Sequence, residues 1–188
     1  MTIFLAQPWN DSRSELDYRL RVLVLKPWQE DLQAMTGESV NEAAKPNPRL
    51  QMLGILVGNW STTGTHPQVP GTTFHGRSSF AWIEGGAFLV MHSQIDEPEI
   101  PSGIAIFGTD GTSGECSMLY FDERGVSRRY EVSLADNVWK WWRNAPGFSQ
   151  RFTAQISPDG RTITGRGELS KDGKNWEGDL ALTYTRMG

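Results

Sequence analysis

The sequence predicts an all-β fold: an up-and-down antiparallel barrel of about ten strands, closed at one end by a short helix. Three observations support this prediction. From Gly58 onward, apolar and polar residues alternate with period two, as they do along half-buried strands. Turn-forming segments interrupt this alternation at short intervals. The 188-residue chain also contains 20 glycines and 10 prolines, which suits many tight turns.

The order of the elements favours a barrel over other all-β folds. Ten strands joined by short hairpins pair sequentially, and closure of the sheet removes the exposed edges that attract other chains. A sandwich of two sheets is the alternative. The 38% apolar residues suit one domain with a sizeable core, so a second full domain is not expected.

Residues 1–45 differ from the rest and are predicted to form an appended segment and linker. YRLRVLVLKP alternates like a short strand, PWQEDLQAMTG has the pattern of a helix, and GESVNEAAKPNP is a polar linker. The barrel domain is predicted over residues 46–188. It begins with NPRLQMLGILVG, where Pro48 stands near the first turn of a short helix that plugs one end of the barrel.

The predicted strands follow this helix and are separated by hairpin turns. Their limits are 58–66, 72–84, 87–95, 103–109, 115–122, 126–134, 137–143, 148–157, 161–169 and 175–186. The turns contain EGG, DGTSG, DERG, ADN, NAPG, SPDG and SKDGKN. Asp-Gly pairs and Asn, Pro and Gly clusters supply the positive φ angles that tight hairpins require.

Gly58 and Trp60 mark the junction between the helix and the first strand. A glycine lets the chain turn sharply there, and the tryptophan is expected to close the floor of the cavity. VGNW resembles the Gly-x-Trp start of the calycins, the group of lipocalins and fatty-acid-binding proteins. Over roughly residues 50–186, GRSSFAWIEGGAFLVMHS, YFDERGVSRRYEVSL and the stretch from NAPGFSQRF to DLALTYTR resemble a bacterial family of uncharacterised calycin-like domains. The resemblance implies the barrel fold and brings no agreed activity.

Composition and charge argue against several classes of partner. The net charge is −4 and no basic stripe is present, so no nucleic-acid partner is expected. No segment approaches the ~20 apolar residues that span a bilayer, and the start of the chain lacks the basic region of a secretory signal. A single cysteine, Cys116, fits a reducing compartment. The expected location is cytoplasmic, with no membrane partner.

Alternate residues of a barrel strand face the interior, so the apolar residues of each strand predict which side chains line it. Arg128 shares its face with Tyr130, and Arg143 shares its face with Trp139 and Trp141. The candidate ligand-binding residues are Arg128, Tyr130, Trp139, Trp141, Arg143, Gln150, Tyr184 and His92.

Further residues affect the size and polarity of the interior. Gly165 and Gly167 on one strand, and Gly178 beside Trp176 on the next, are predicted to face inward, and these glycines are expected to leave room. The strand that contains His92 is apolar on both faces, so the direction of this histidine stays undecided.

The predicted interior is aromatic, with a few polar groups. An inward arginine cannot lose its charge and needs an acceptor, so such a cavity fits a small amphipathic molecule with an anionic end. Two alternatives stay open. Arg128 and Arg143 could instead lie near the barrel ends, where they reach water or pair with Asp122 or Glu131, and separately the aromatic rings could fill the barrel and leave no cavity.

No cofactor or metal is expected. Nitrobindin, a relative of the calycins, binds haem through a histidine on a late strand, whereas the histidines here are His66, His75 and His92 and none follows. No His, Cys or carboxylate spacing matches a metal site. Fatty-acid-binding proteins hold a carboxylate with Arg-x-Tyr near the last strand. Here the last strand has the reverse order, Tyr184 before Arg186, while Arg128-x-Tyr130 lies on a middle strand.

Three functions are compatible with these patterns. The first is binding of a small hydrophobic or amphipathic ligand in the barrel cavity. The second is a small-molecule enzyme, a cyclase, isomerase or hydrolase, that uses the same cavity, although no catalytic residues are identified. The third is a structural or interaction protein in which residues 1–45 mediate contacts, for instance as the arm of a homodimer.

Overall fold

The computed structural model describes residues 46–188, which form a closed antiparallel barrel of ten strands. Each strand pairs with its neighbours in the chain, and β1 pairs with β10 to close the sheet. The predicted barrel is therefore confirmed, and the two-sheet sandwich is excluded. The predicted appended segment, residues 1–45, lies outside the described residues.

The described chain starts with a 3-10 helix, and the strands follow at short intervals. The helix spans Pro48–Leu56, and the strands are β1 Gly58–Thr65, β2 Thr73–Ile83, β3 Phe88–Ile95, β4 Gly103–Thr109, β5 Cys116–Asp122, β6 Ser127–Ala135, β7 Val138–Arg143, β8 Ser149–Ile156, β9 Thr162–Ser170 and β10 Glu177–Arg186. A single 3-10 turn, Glu84–Gly86, separates β2 from β3. All strand limits lie within two residues of the predicted ones.

The helix closes one end of the barrel, as predicted. Leu50, Leu53 and Leu56 are all fully buried, and their spacing of three residues matches the three-residue turn of a 3-10 helix. Pro48 stands in the first turn, and the Asn47 side chain accepts a hydrogen bond from a backbone amide there. The three leucines join one hydrophobic core with the inward residues of the strands.

The junction between the helix and β1 requires a glycine at position 58 for two reasons. Its φ of +130° is a conformation that other residues rarely adopt. A Cβ atom there would also lie 2.7 Å from Nη1 of Arg186, the last residue of β10. The Arg186 guanidinium needs this space because it donates hydrogen bonds to the backbone carbonyls of Ile55, Val57 and Gly160.

Trp60 connects the helix with the floor of the barrel. It is fully buried, and its Nε1–H donates to the Leu56 carbonyl at 2.8 Å, which satisfies the helix end. The Arg186 guanidinium lies 4.2 Å above the centre of its ring. Arg186 therefore contacts both sides of the junction and fixes the helix against the closed end.

The turn between β6 and β7 shows how the sequence specifies a tight hairpin. Asp136 and Asn137 form a two-residue loop, with φ angles of 52° and 59°. Positive φ at both positions defines the type I′ turn, whose twist matches that of paired strands. This turn keeps β6 and β7 in direct register, with Val132 opposite Trp141.

A β-bulge interrupts β10. Gly178 pairs with Glu168 and Ala181 pairs with Arg166, so Asp179 and Leu180 together face one residue of β9. The extra residue reverses the inward and outward alternation. The prediction that Trp176 and Gly178 face inward is therefore wrong: Gly178 is exposed, and Trp176 packs against the guanidinium of the exposed Arg151.

The inward glycines of β9 do not simply leave room. Gly165 is buried, but a Cβ atom there would lie 2.3 Å from Cζ of Phe152. The Phe152 ring therefore occupies the space that a side chain at position 165 would need. Gly64 on β1 accommodates Phe74 in the same way, with 2.3 Å between the hypothetical Cβ and the ring. At these two sites, the absence of a side chain makes room for an aromatic ring of the core and does not enlarge the cavity.

The two ends of the barrel differ in their connections. The helix and the short turns after β2, β4, β6 and β8 lie at the closed end. The segments 66–72, 96–102, 123–126, 144–148 and 171–176 lie at the other end, which we call the mouth. Within the described part of the chain, no helix has the length and apolarity needed to cross a membrane.

Candidate functional site

A cavity of about 270 Å³ occupies the mouth half of the barrel. Much of its wall is apolar or aromatic, with contributions from Phe74, Met91, Met118, Trp139, Trp141 and Leu182. Residues of the mouth loops, such as Ile100, Pro101 and Phe148, line its entrance. The aromatic rings therefore leave the barrel partly hollow.

Six of the eight candidate residues line this single cavity. They are Arg128, Tyr130, Trp139, Trp141, Gln150 and Tyr184. The first five meet because β6, β7 and β8 are adjacent and regular, so the predicted alternation holds along all three, whereas Tyr184 lies on β10. The ring centres of Tyr130 and Trp141 are 4.9 Å apart, and Trp141 stacks on Phe152 at 5.0 Å with an interplanar angle of 11°.

His92 does not line the cavity. It is exposed on the outer surface of β3, while Leu89 and Met91 on the same strand face inward. Its cross-strand partner on β4 is Ile104, which also faces outward. This strand is apolar on both faces because Val90 and Ile106 cover the outer wall, which is why the sequence left the direction of His92 open.

Arg143 lies at the mouth end of β7 but is not among the cavity-lining residues. It pairs in register with Gln150, which does line the cavity. Its Nε atom is buried and has no hydrogen-bond partner among residues 46–188. Arg143 thus lies on the predicted face of β7, but it does not line the cavity.

Arg128 has the clearest position of a ligand-binding cation. Its guanidinium lies 4.2 Å above the centre of the Phe148 ring, at the entrance of the cavity. The two carboxylates proposed as its partners, Asp122 and Glu131, pair instead with Arg124 and Arg129. Within the described part of the chain, Arg128 forms no ion pair, and its guanidinium stands at the entrance of the cavity.

A chain of hydrogen bonds runs along one side of the mouth. The Tyr130 hydroxyl donates to Oε1 of Gln150 at 2.6 Å, and Nε2 of Gln150 donates to Oδ2 of Asp179 at 2.6 Å. Nε2 of His66 donates to Oδ1 of Asp179 at 2.9 Å. The other ring nitrogen of His66 accepts from the backbone amide of Gln68 at 3.1 Å. Each of these residues lines the cavity.

Burial determines which groups in this chain of hydrogen bonds donate and which accept. The Asp179 side chain is 5% exposed, so an ionised carboxylate there needs donors, and both Gln150 and His66 supply them. Burial raises the pKa of the Tyr130 phenol, which therefore stays protonated at neutral pH. His66 carries its proton on Nε2, because its Nδ1 accepts a hydrogen bond.

Asp179 and His66 were not predicted to line the cavity, for separate reasons. Asp179 enters the cavity only because the bulge in β10 turns it inward, and period-two alternation cannot predict a bulge. His66 follows the last residue of β1 and belongs to a loop, where alternation does not apply. The Gly178–Asp179 pair in a strand pattern was a weak signal of a bulge.

A second polar group lies deeper in the cavity. Thr62 and Ser93 line it, and both bond to the buried Ser78 hydroxyl, at 2.9 Å and 3.5 Å respectively. Tyr184 stands opposite Thr62 in the register of β1 and β10. Burial alone raises the pKa of the Tyr184 phenol, with no contribution from a charge or a hydrogen bond. These hydroxyls form a polar patch deep in the cavity, where the other side chains are mostly aromatic.

Trp139 forms the aromatic floor. It is 1% exposed, and its ring contacts Phe80 and Phe152 at interplanar angles of 80° and 73°. Its Nε1 atom is buried and has no hydrogen-bond partner among residues 46–188. Trp139 therefore contributes a broad aromatic surface to the cavity.

The described residues provide little for a haem iron or another metal. Among residues 46–188, no group of three or more His, Cys, Asp or Glu side chains converges. His66 lines the cavity, but both of its ring nitrogens are engaged. His75 is exposed and bonds to Glu97 on the outside. Neither these two histidines nor the outward His92 offers a ring nitrogen to the cavity.

Comparisons with known proteins support the fold. No protein-family model matches the chain, and no curated protein matches it. The crystal structure of Rv2717c from M. tuberculosis is similar, with 16% identity, coverage of 76% of this chain and 99% of that chain, and a TM-score of 0.56. A de novo designed fluorescence-activating β-barrel aligns at 10% identity over 71% of this chain and 95% of that chain, with a TM-score of 0.40. At this level of identity, the likeness to Rv2717c shows that the chain shares the fold of a solved ten-strand antiparallel barrel, and the fold alone.

Proposed function

We propose that this protein binds a small amphipathic molecule with an anionic end, in the manner of a calycin. One observation carries the proposal: an aromatic cavity whose entrance holds the guanidinium of Arg128, with no carboxylate partner among the described residues. A charge of this kind at the edge of an apolar space favours an anion that can displace its water.

The volume of the cavity limits the ligand. At about 270 Å³ it lies just below the ~300–1,000 Å³ typical of small-molecule sites. The inward Phe152 and Phe74 rings, which fill the space above two glycines, account for part of this small size. A compact aromatic or short aliphatic acid fits these dimensions better than a long-chain fatty acid or a porphyrin.

The polar groups suggest how such a ligand lies. Its anionic group binds Arg128 at the entrance, while its apolar body contacts Trp141, Met118 and the Trp139 floor. A charge-assisted hydrogen bond is worth about 1.5–3 kcal/mol, so a carboxylate should bind about 10- to 150-fold more tightly than its neutral amide.

The described residues favour binding over catalysis. A general base needs an available lone pair facing the substrate, but both ring nitrogens of His66 are engaged. Of the two carboxylates among the described residues that line the cavity, Asp179 already accepts from Gln150 and His66, and Glu99 is exposed at the mouth. The single cysteine, Cys116, does not line the cavity, and burial raises the pKa of its thiol to about 11. This thiol is therefore protonated at neutral pH and does not act as a nucleophile. No observation on the described residues favours a cyclase, an isomerase or a hydrolase.

The test compares 2-naphthoate with 2-naphthamide by isothermal titration calorimetry. Wild-type protein should bind the acid about 10- to 150-fold more tightly. Arg128→Met should remove most of this preference. Arg129→Met is the matched control, because Arg129 is the next residue on the same strand and pairs with Glu131 on the outer surface. Equal affinity for acid and amide in wild-type protein would contradict the proposal.

A further inference from the structure

The hydrogen bonds around Tyr130 determine what a ligand can offer to it. A phenol has one proton to donate and two lone pairs that accept. The Tyr130 proton is directed to Oε1 of Gln150 at 2.6 Å. The phenol oxygen can then only accept further hydrogen bonds, from the neighbouring Arg128 or from a group in the cavity.

Asp179 fixes this polarity from the other side of Gln150. An amide can present either its oxygen or its NH₂ group, but the group that faces Asp179 lies 2.6 Å from a carboxylate oxygen. Two oxygens at that distance would repel each other, so the NH₂ group faces Asp179. The amide oxygen then faces Tyr130 and requires its proton. Because Asp179 is also bonded by His66, its position is fixed.

Arg128 and Tyr130 are neighbours on the inner face of β6. They are two residues apart on one strand, and both line the cavity. The Arg128 charge and a hydrogen-bond contribution from Arg128 partly oppose the effect of burial on the pKa of Tyr130, which shows that the two groups are close. An anion donor and a hydrogen-bond acceptor therefore stand side by side.

We infer that the ligand carries an N–H or O–H group within a few bonds of its anionic end, and that this group donates to the Tyr130 oxygen. N-acyl amino acids and hydroxy acids have this arrangement. The inference rests on the proposed function, because it places the anion on Arg128. It adds a second requirement that excludes simple fatty acids and keto acids, which present no donor at that position.

The experiment uses two isosteric acids, N-benzoylglycine and O-benzoylglycolate, which differ in one N–H group replaced by an ester oxygen. Their dissociation constants are measured by calorimetry on the full chain. The ester should bind about 5- to 150-fold more weakly, because its oxygen would face the Tyr130 oxygen without a proton between them. Tyr130→Phe should bring the two constants together. Tyr120→Phe is the matched control, since Tyr120 also lines the cavity, with its ring centre 6.5 Å from that of Tyr130, and should keep the preference.

A second variant tests the direction of the hydrogen bond between Tyr130 and Gln150 without removing the phenol. Gln150→Met releases the Tyr130 proton, which can then turn towards the ester oxygen, so the preference for the amide should shrink. Equal binding of both acids to wild-type protein, or a preference that persists unchanged in both Tyr130→Phe and Gln150→Met, would overturn the inference. If 2-naphthoate binds and neither benzoyl compound does, the inference also fails while the proposed function stands. If none of the three acids binds, the proposed function itself fails.

Discussion

Two arginines stacked on aromatic rings lie at opposite ends of this barrel. Arg186 lies over Trp60 at the closed end, and Arg128 lies over Phe148 at the mouth, each 4.2 Å from the ring centre. Arg186 also donates to three backbone carbonyls, whereas Arg128 forms no ion pair with the described residues. The stacking is the same, but three backbone carbonyls accept from Arg186, whereas Arg128 has no carboxylate partner among the described residues.

The largest expected difference is in stability. Arg186→Met removes three hydrogen bonds from a charged group and leaves carbonyls at the barrel end without their donor, so it should lower the free energy of unfolding by about 3–5 kcal/mol. Arg128→Met should change it by less than about 1 kcal/mol. Urea denaturation followed by tryptophan fluorescence measures both. Similar losses in the two variants would show that the ends do not differ in this way.

A second prediction concerns the loop that His66 attaches to the mouth. His66→Ala removes the acceptor of the Gln68 amide and one donor to Asp179. Hydrogen–deuterium exchange at Gln68 should therefore become about 5- to 10-fold faster, with little effect on the closed end. His75→Ala is the control, because His75 is exposed and bonds to Glu97. Unchanged exchange at Gln68 in His66→Ala would mean that the loop is held by other contacts.

The smallest expected effect concerns Arg124, an arginine at the mouth that does have a carboxylate partner. Hydrogen bonds from Arg124 lower the pKa of Asp122, whose side chain is fully buried. Because the folded pKa lies below the unfolded value of ~3.9, Asp122 stabilises the fold above that pH and loses its contribution as the pH falls through the folded pKa. Arg124 is half-exposed, so the contribution should be below about 1 kcal/mol.

The measurement is the free energy of unfolding of wild type and Asp122→Asn between pH 6 and pH 2. The difference between the two should be largest at pH 6 and should vanish at the acid end. A difference that is independent of pH would mean that Asp122 contributes through its shape and its neutral hydrogen bonds alone.

The fold could be predicted from the sequence because its signals are local. Turn residues such as Asp136 and Asn137 adopt the positive φ angles that the hairpin needs, and regular alternation on β6, β7 and β8 placed Arg128 and Gln150 on the cavity wall. The rest depended on contacts between distant residues. Gly165 was expected to leave room, but the ring that fills this space, Phe152, belongs to the neighbouring strand.

The cavity-lining residues were predicted less completely than the strands, because two positions depend on features that alternation does not show. His92 could not be placed, because an outer wall covered by Val90 and Ile106 removes the contrast between the two faces. Asp179 was missed because a bulge changes which residues face inward without changing composition. Residues that depend on an irregular backbone therefore escape pattern analysis, and they include the carboxylate that orients the polar side of the cavity.

The bulge in β10 makes the cavity sensitive to the length of the chain. Deleting Asp179 would leave Leu180 alone opposite Gly167 and would give a regular strand that still closes the barrel. The cavity would then lose the carboxylate to which both Gln150 and His66 donate, although neither of those residues had been substituted. Arg128 would stay at the entrance while the group that fixes the Gln150 amide is lost, so one deletion would separate the binding of an anion from the demand for a donor at Tyr130.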